Sequence, residues 1–246
     1  MESTLGYDMF VGSLADRMGL AGNVHRPGTT VVAAEDRSDS SMVVAYSISA
    51  HTVLWCDPAL AEDLSELAEA SRSKSLDEIS TWAERAGWER AGVAQMQLLR
   101  STGLTRPTVD PSVEIRSLDR DRSDDVALID AFKAALPDDD RDQAELDNAE
   151  LDEHMVAVVD DRGIAAFASQ QPFLYADRFA DIATATRPDV RGRGLGRRAV
   201  AALCDEIETR KDLPLYRCDT ENHGSVRLSA SLGFVPVIKV VAFKRP

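Results

Sequence analysis

Cysteine is scarce in this chain. The three present, Cys56, Cys204 and Cys218, are scattered and odd in number, which argues against a disulfide framework and for a reducing compartment. They also lack the short spacings that hold a metal ion, so no metal site is expected. Positive charge is in deficit, with 28 Lys and Arg against 42 Asp and Glu and a formal net charge of -14. That balance argues against broad binding to nucleic acid or to an anionic membrane surface, because both need clustered cations, and it suits a small or cationic partner. Long apolar runs are missing too. Met1 to Leu20 contains no basic stretch followed by an uninterrupted apolar one, and no later segment approaches bilayer-spanning length; the expected location is the cytoplasm. No internal sequence repeat is visible. What is present, 246 residues of which 44% are hydrophobic, suffices for one large domain or two small ones with ordinary cores.

Strand and helix signals then follow in order. A helix is expected over Met9 to Leu20. Thr29 to Ala34 and Ser41 to Trp55 are rich in Val, Ile, Thr and Tyr and flank a polar turn, so they read as two paired strands. Asp57-Pro58 starts a helix with Leu60, Leu64 and Leu67 on one face, and Ser75 with Glu78 forms a capping box for another, which Gly87 is placed to end. Gln95 to Leu98 alternates as a strand does. His51 is read as a hydrogen-bonded structural histidine, and Trp82 and Trp88 as core or interface residues. Ser101 to Ser112 carries the prolines and small polar residues of a linker. Domains are therefore placed at 1–106 and 113–246, with 107–112 between them.

The second half begins with a strand at Val113 to Ser117 and a helix capped by Ser123 and stopped by Pro137. Next comes the densest acidic run in the chain, Asp138 to Glu153. It reads as a solvated face or, more sharply, as a field that attracts a cationic substrate. A hairpin is expected over Met155 to Ser169, then a strand at Phe179 to Thr186. That strand enters Pro188-Asp189-Val190-Arg191-Gly192-Arg193-Gly194-Leu195-Gly196-Arg197-Arg198, a glycine-rich basic turn opening a long amphipathic helix. Such a turn brings backbone N–H groups close to an anion, and the helix adds unpaired donors and the positive end of its dipole. Phosphate is the expected guest. A Walker loop needs a Gly-Lys-Ser/Thr ending that is absent, and for a dinucleotide fingerprint the third glycine comes one residue early.

The order Arg191, two residues, Gly194, one residue, Gly196 after a strand resembles the acyl-coenzyme A pyrophosphate loop of the GNAT superfamily of N-acetyltransferases. Asn222 to Phe234, in which an asparagine opens a helix ending in Leu232-Gly233-Phe234, resembles the later element of the same family. The resemblance covers the second half from Val113 onward. The first half lacks both motifs and resembles at most a degenerate copy or an accessory domain of a two-domain GNAT protein. The implied fold class is α/β (α+β): a mixed, mostly antiparallel GNAT-like sheet flanked by helices, plus a smaller N-terminal α/β domain.

The resemblance also implies roles. Thr184, Ala185 and Thr186 would offer backbone groups to the pantetheine arm and the thioester carbonyl of acetyl-CoA. Arg191 and the N–H groups of Gly192, Arg193, Gly194, Leu195, Gly196 and Arg197 would hold the pyrophosphate, with Asn222 and Ser225 at the second element. Asn222 is equally a helix N-cap, and Arg197 and Arg198 equally suit a solvated face. The reaction implied is transfer of an acetyl group to a primary amine, a small cationic molecule or a peptide end. Asp181, Glu221 and His223 are the bases near enough in sequence, each also explicable as a surface or capping residue. Where many family members carry a proton-donating tyrosine, this chain has Ser229; water, Tyr216 or Tyr175 are the substitutes. A non-catalytic acyl-CoA-binding module and transfer of a longer acyl group are the alternatives. The first half is compatible with shaping the acceptor cleft, with forming a homodimer interface, or with neither.

Overall fold

The computed structural model describes residues 4–20, 23–35, 41–69, 75–108, 113–146, 154–173 and 176–245. The acidic positions 147–153, Tyr175 and linker residues 109–112 lie outside them. The chain forms two compact units that are discontinuous in sequence. One contains Met1–Leu5, Leu98–Arg217 and Arg227–Val235, and the other Gly6–Gln97, Cys218–Val226 and Pro236–Pro246. Mixed α/β structure is found in both, as the sequence implied, with mostly antiparallel strands and helices packed on them.

In the unit built mainly from the first half, the sheet order is β1 (Gly28–Ala33), β3 (His51–Cys56), β2 (Met42–Ile48), β10 (Phe234–Lys244), β4 (Glu89–Leu99). The single strand expected over Ser41 to Trp55 is in fact two. Ser49 adopts φ 55 and turns the chain back, so β2 and β3 form a tight hairpin. β1 pairs with β3, in parallel, and β2 with β10. Every residue of β3 is buried, and its inward side chains Leu54 and Cys56 pack with Val43, Ala45, Val241 and Phe243 beneath Leu60, Leu64, Leu76, Ile79 and Ala83. The last five come from the turn Pro58–Leu60, α2 (Ala61–Glu69) and α3 (Leu76–Arg85). The Ser75–Glu78 capping box is present. Trp82 and Trp88 pack together with ring centroids 5.7 Å apart. The first helix, α1, runs Tyr7–Arg17.

In the other unit the order is β9 (Leu213–Asp219), β8 (Phe179–Thr186), β7 (Gly163–Pro172), β6 (His154–Asp160), β5 (Glu114–Leu118). Among the described strands of this unit only the β8–β9 pair is parallel, as it must be with a crossover helix, α6 (Leu195–Thr209), between the two strands. Val200, Leu203 and Ile207 of α6 are fully buried, and burial of each contributes about 1.5–3 kcal/mol. On another cluster Leu118, Ile129, Phe132, Leu136 and Leu146 meet Phe167 and Ala185, brought there by α4 (Ser123–Ala134) and the short α5 (Asp138–Gln143). Ser123 is the first residue of α4 rather than its cap; Arg122 precedes it without a side-chain cap. The last helix, α7, runs His223–Leu232. Among the described residues, no helix is long and apolar enough to cross a membrane.

Candidate acyl-donor site

The parallel pairing of β8 with β9 joins Phe179–Ile182 to Leu213–Tyr216. β8 then continues for four more residues, paired with β7 on its other side as far as Thr186↔Ala166. The N–H of Arg187 donates to Ala165 O on that β7 side. Backbone groups of successive strand residues alternate in direction, so those of Ala185 also face β7, whereas those of Thr184 and Thr186 face the edge where the β9 pairing has ended. A strand edge with spare amide donors and acceptors suits a ligand that itself carries amides.

Beyond β8, Pro188–Val190 makes one tight turn and the glycines take over. Gly192 and Gly194 have φ 78 and 75, a left-handed conformation that costs other residues about 1–2 kcal/mol. Gly194 caps α6 without any side-chain hydrogen bond, and no acidic residue occupies the first turn. The orphan N–H groups at this end therefore have no carboxylate from the cap position or the first turn. Gly196 has ordinary φ but no room: a Cβ there would lie 2.7 Å from Thr186 Oγ1 and 3.2 Å from the Leu228 side chain. The helix start is thus pressed against the end of β8. The alternating left-handed glycines and the helix end form a backbone nest suited to an anion, and acetyl-CoA brings a pyrophosphate and an amide-bearing arm that match nest and strand edge.

The turn is braced by charge. Arg187, 6% exposed, donates from Nη2 to Asp160 Oδ2 at 2.6 Å and from Nε to Asp189 Oδ1 at 2.7 Å. Its hydrogen bond holds both carboxyls below the usual carboxylate range. Sequence reasoning passed over Arg187; the dipeptide Arg187-Pro188 at the strand end was the available signal. Arg191 does not point freely into the nest, since Nε donates to Thr186 O at 3.1 Å and Nη2 to Asp140 Oδ2 at 2.5 Å. Asp138 is paired with Arg141. Part of the described acidic run is thereby neutralised. Arg197 Nη2 reaches Thr105 O at 3.4 Å, and Arg193 is exposed.

The remaining candidates are dispersed. Asn222 Oδ1 accepts the Ser225 N–H at 3.0 Å, an N-cap for α7. Glu221 is exposed. Ser229 is fully buried, and Tyr216 is buried against Phe234 with ring centroids 5.5 Å apart. Asp181 is 3% exposed and its Oδ2 accepts from Arg217 Nε at 2.6 Å; burial pushes its carboxyl up, against the pull of Arg217. Burial likewise raises the Cys56 thiol to about 11 and raises Cys204 and Cys218, so none is a ready nucleophile. His51 is structural, with Nε2 against Thr30 Oγ1 at 2.8 Å and Nδ1 against Arg26 O at 3.0 Å. Among the described residues no cluster of His, Cys, Asp and Glu is arranged to hold a metal ion.

Comparison with known proteins agrees with this geometry. Residues 156–243, a stretch that contains both motifs, match the family model described as GNAT acetyltransferase. No curated protein matches the sequence. A tandem GNAT protein from the clavulanic acid biosynthesis pathway shares 14% identity at a TM-score of 0.54, covering 100% of this chain and 98% of that one. A GCN5-related N-acetyltransferase from Sphaerobacter thermophilus gives 17% identity and TM-score 0.51 over 76% of this chain and 64% of its own. One from Kribbella flavida gives 17% and 0.50, over 80% and 68%. At these identities the likeness is one of fold, and the tandem protein extends it to the whole chain.

Proposed function

We infer that the protein is a cytoplasmic acetyl-CoA-dependent N-acetyltransferase acting on a primary amine. Residues 113–246 are taken as the acetyltransferase domain, and 1–106 as an accessory or degenerate GNAT-like domain. The observation that carries this reading is the union of a freed β8 edge with an uncapped, glycine-built helix start immediately after it. Acetyl-CoA supplies the activated acetyl thioester. The nest holds its pyrophosphate, and Thr184 through its outward backbone groups and Thr186 through its N–H align its arm. Held there, the thioester carbonyl lies beside a fixed N–H donor as negative charge grows on its oxygen. The amine, once deprotonated, attacks the carbonyl carbon with its lone pair; the C–S bond breaks and the sulfur leaves with that electron pair. The amine's second proton then goes to solvent or to the thiolate. Fully buried Ser229 is too weak an acid for that last task, which favours protonation of the thiolate by water.

Calorimetric titration with acetyl-CoA, followed by competition with CoA, tests donor binding, and absence of both heat and competition overturns the reading. Thiol release across an amine panel tests turnover. Ser229 also supports a second reading, a module that binds acyl-CoA without transferring it, which would show binding but no acceptor-dependent release.

A further inference from the structure

Three buried polar atoms on neighbouring strands have no hydrogen-bond partner among the described residues: Ser169 Oγ and Gln171 Nε2 of β7, and Asp181 Oδ1 of β8. Their residues are 0%, 6% and 3% exposed. The register sets Gln171 directly opposite Asp181, and Ser169 opposite Ala183. Side chains two apart along a strand share a face, so all three project from the same side of the sheet. Directly opposed Cβ atoms are about 4.5–5.5 Å apart and diagonal positions about 7–8 Å, a spacing within the compass of one small molecule. A buried polar group without a partner costs about 1–3 kcal/mol, and three together are not a packing accident to be expected of a stable core.

The surroundings say what would satisfy them. Phe167 and Ala185, in step with the trio along the same two strands, belong to the cluster packed by α4, Ala144 and Leu146, so this is the face over which residues 144–146 lie. From that segment Glu145, and from β9 Arg217, complete the charge: Arg217 bonds Asp181 Oδ2 at 2.6 Å and Glu145 Oε1 at 3.4 Å. Two carboxylates around one guanidinium leave a net negative charge. Asp181 Oδ1 demands a donor, Gln171 Nε2 an acceptor, and Ser169 Oγ takes either. Three residues beyond Asp181, β8 begins the stretch assigned above to the thioester.

We propose that Ser169, Gln171 and Asp181 form the recognition site for the acyl acceptor, and that the acceptor is a cationic primary amine with a neutral oxygen, a hydroxyl or amide carbonyl, close to its nitrogen. The ammonium N–H meets Asp181 Oδ1 and the oxygen meets Gln171 Nε2, with Ser169 completing the set. An amine bearing its own carboxylate is disfavoured by Asp181 and Glu145. This site rests on the acyl-transfer reading, but its own test includes a readout independent of turnover.

Ethanolamine and glycinamide are compared with propylamine and glycine in thiol-release assays, and the same four amines are titrated in thermal-shift measurements on the full chain. Wild-type protein is expected to favour the first two by tenfold or more in kcat/KM and to be stabilised by them alone. Asp181→Asn should raise KM for ethanolamine at least tenfold. Gln171→Met and Ser169→Ala should narrow the preference for ethanolamine over propylamine. Acetyl-CoA affinity by calorimetry should stay unchanged in all three and serves as the check that each variant is folded. Equal kinetics for the four amines, or variants that bind acetyl-CoA and keep wild-type KM values and preferences, overturns the site. Selective stabilisation by ethanolamine that Asp181→Asn abolishes, without turnover, upholds the site and overturns the transferase reading. Neither stabilisation nor turnover overturns both.

Discussion

Two strands of this protein end alike and lead to opposite electrostatics. β3 and β8 are both buried, and both run through a residue-proline pair into a tight turn and then a helix. After β3, Asp57 turns its carboxylate onto the Ala59 N–H at 2.8 Å, and the helix that follows opens with Glu62 and Asp63. The helix end is satisfied by the protein itself and repels an anion. After β8, Arg187 makes no cap, two left-handed glycines follow, and α6 begins without an acidic residue in its first turn. The comparison teaches that a helix start becomes a phosphate site by what is withheld from it.

Breaking the brace of the second turn should have the largest effect. Arg187→Met strips Asp160 of its ion pair and leaves Asp189 with Arg162 alone, and is expected to cost about 3 kcal/mol, measured by urea denaturation. The effect has a pH signature. Because Arg187 lowers the Asp160 carboxyl in the folded protein, its stabilisation is complete above the unfolded value near pH ~3.9 and is lost as pH falls through the lower folded value. The gap between wild type and variant should therefore close in acid. Next, Gly194→Asp supplies the second helix with the kind of carboxylate the first already has. It should weaken acetyl-CoA and CoA alike by tenfold or more, about 1.4 kcal/mol, by calorimetry. Last, Asp57→Ala removes the cap after β3 and should cost about 1 kcal/mol of stability with no change in acetyl-CoA affinity. If Asp57→Ala altered that affinity, or Gly194→Asp did not, the contrast between the two helix starts would fail.

What the sequence disclosed was local in origin. The Ser75–Glu78 box, the glycine turn and α6 depend on neighbours along the chain, and their spacing is visible in the letters. The β2–β3 hairpin was hidden because its reversal uses Ser49, neither glycine nor proline, inside an apolar run. The parallel β1–β3 pairing was hidden because register is non-local. The same holds for the candidate site. Asp181 stood out as a carboxylate near the cradle, but Ser169 and Gln171 gain meaning only when β7 is laid against β8. The attachment of Arg191 to Asp140 spans a longer gap still, 51 residues. Ionic partners of that kind leave no periodic trace.

All three tryptophans, Trp55, Trp82 and Trp88, fall in the unit that lacks the glycine turn. Intrinsic tryptophan emission therefore reports on that unit alone, and an optical melt followed at tryptophan wavelengths is blind to the first loss of structure around α6. A single tryptophan introduced beside α6, in a background where the native three are phenylalanine, would report on that unit alone, and set beside the wild-type signal it would time the two units separately.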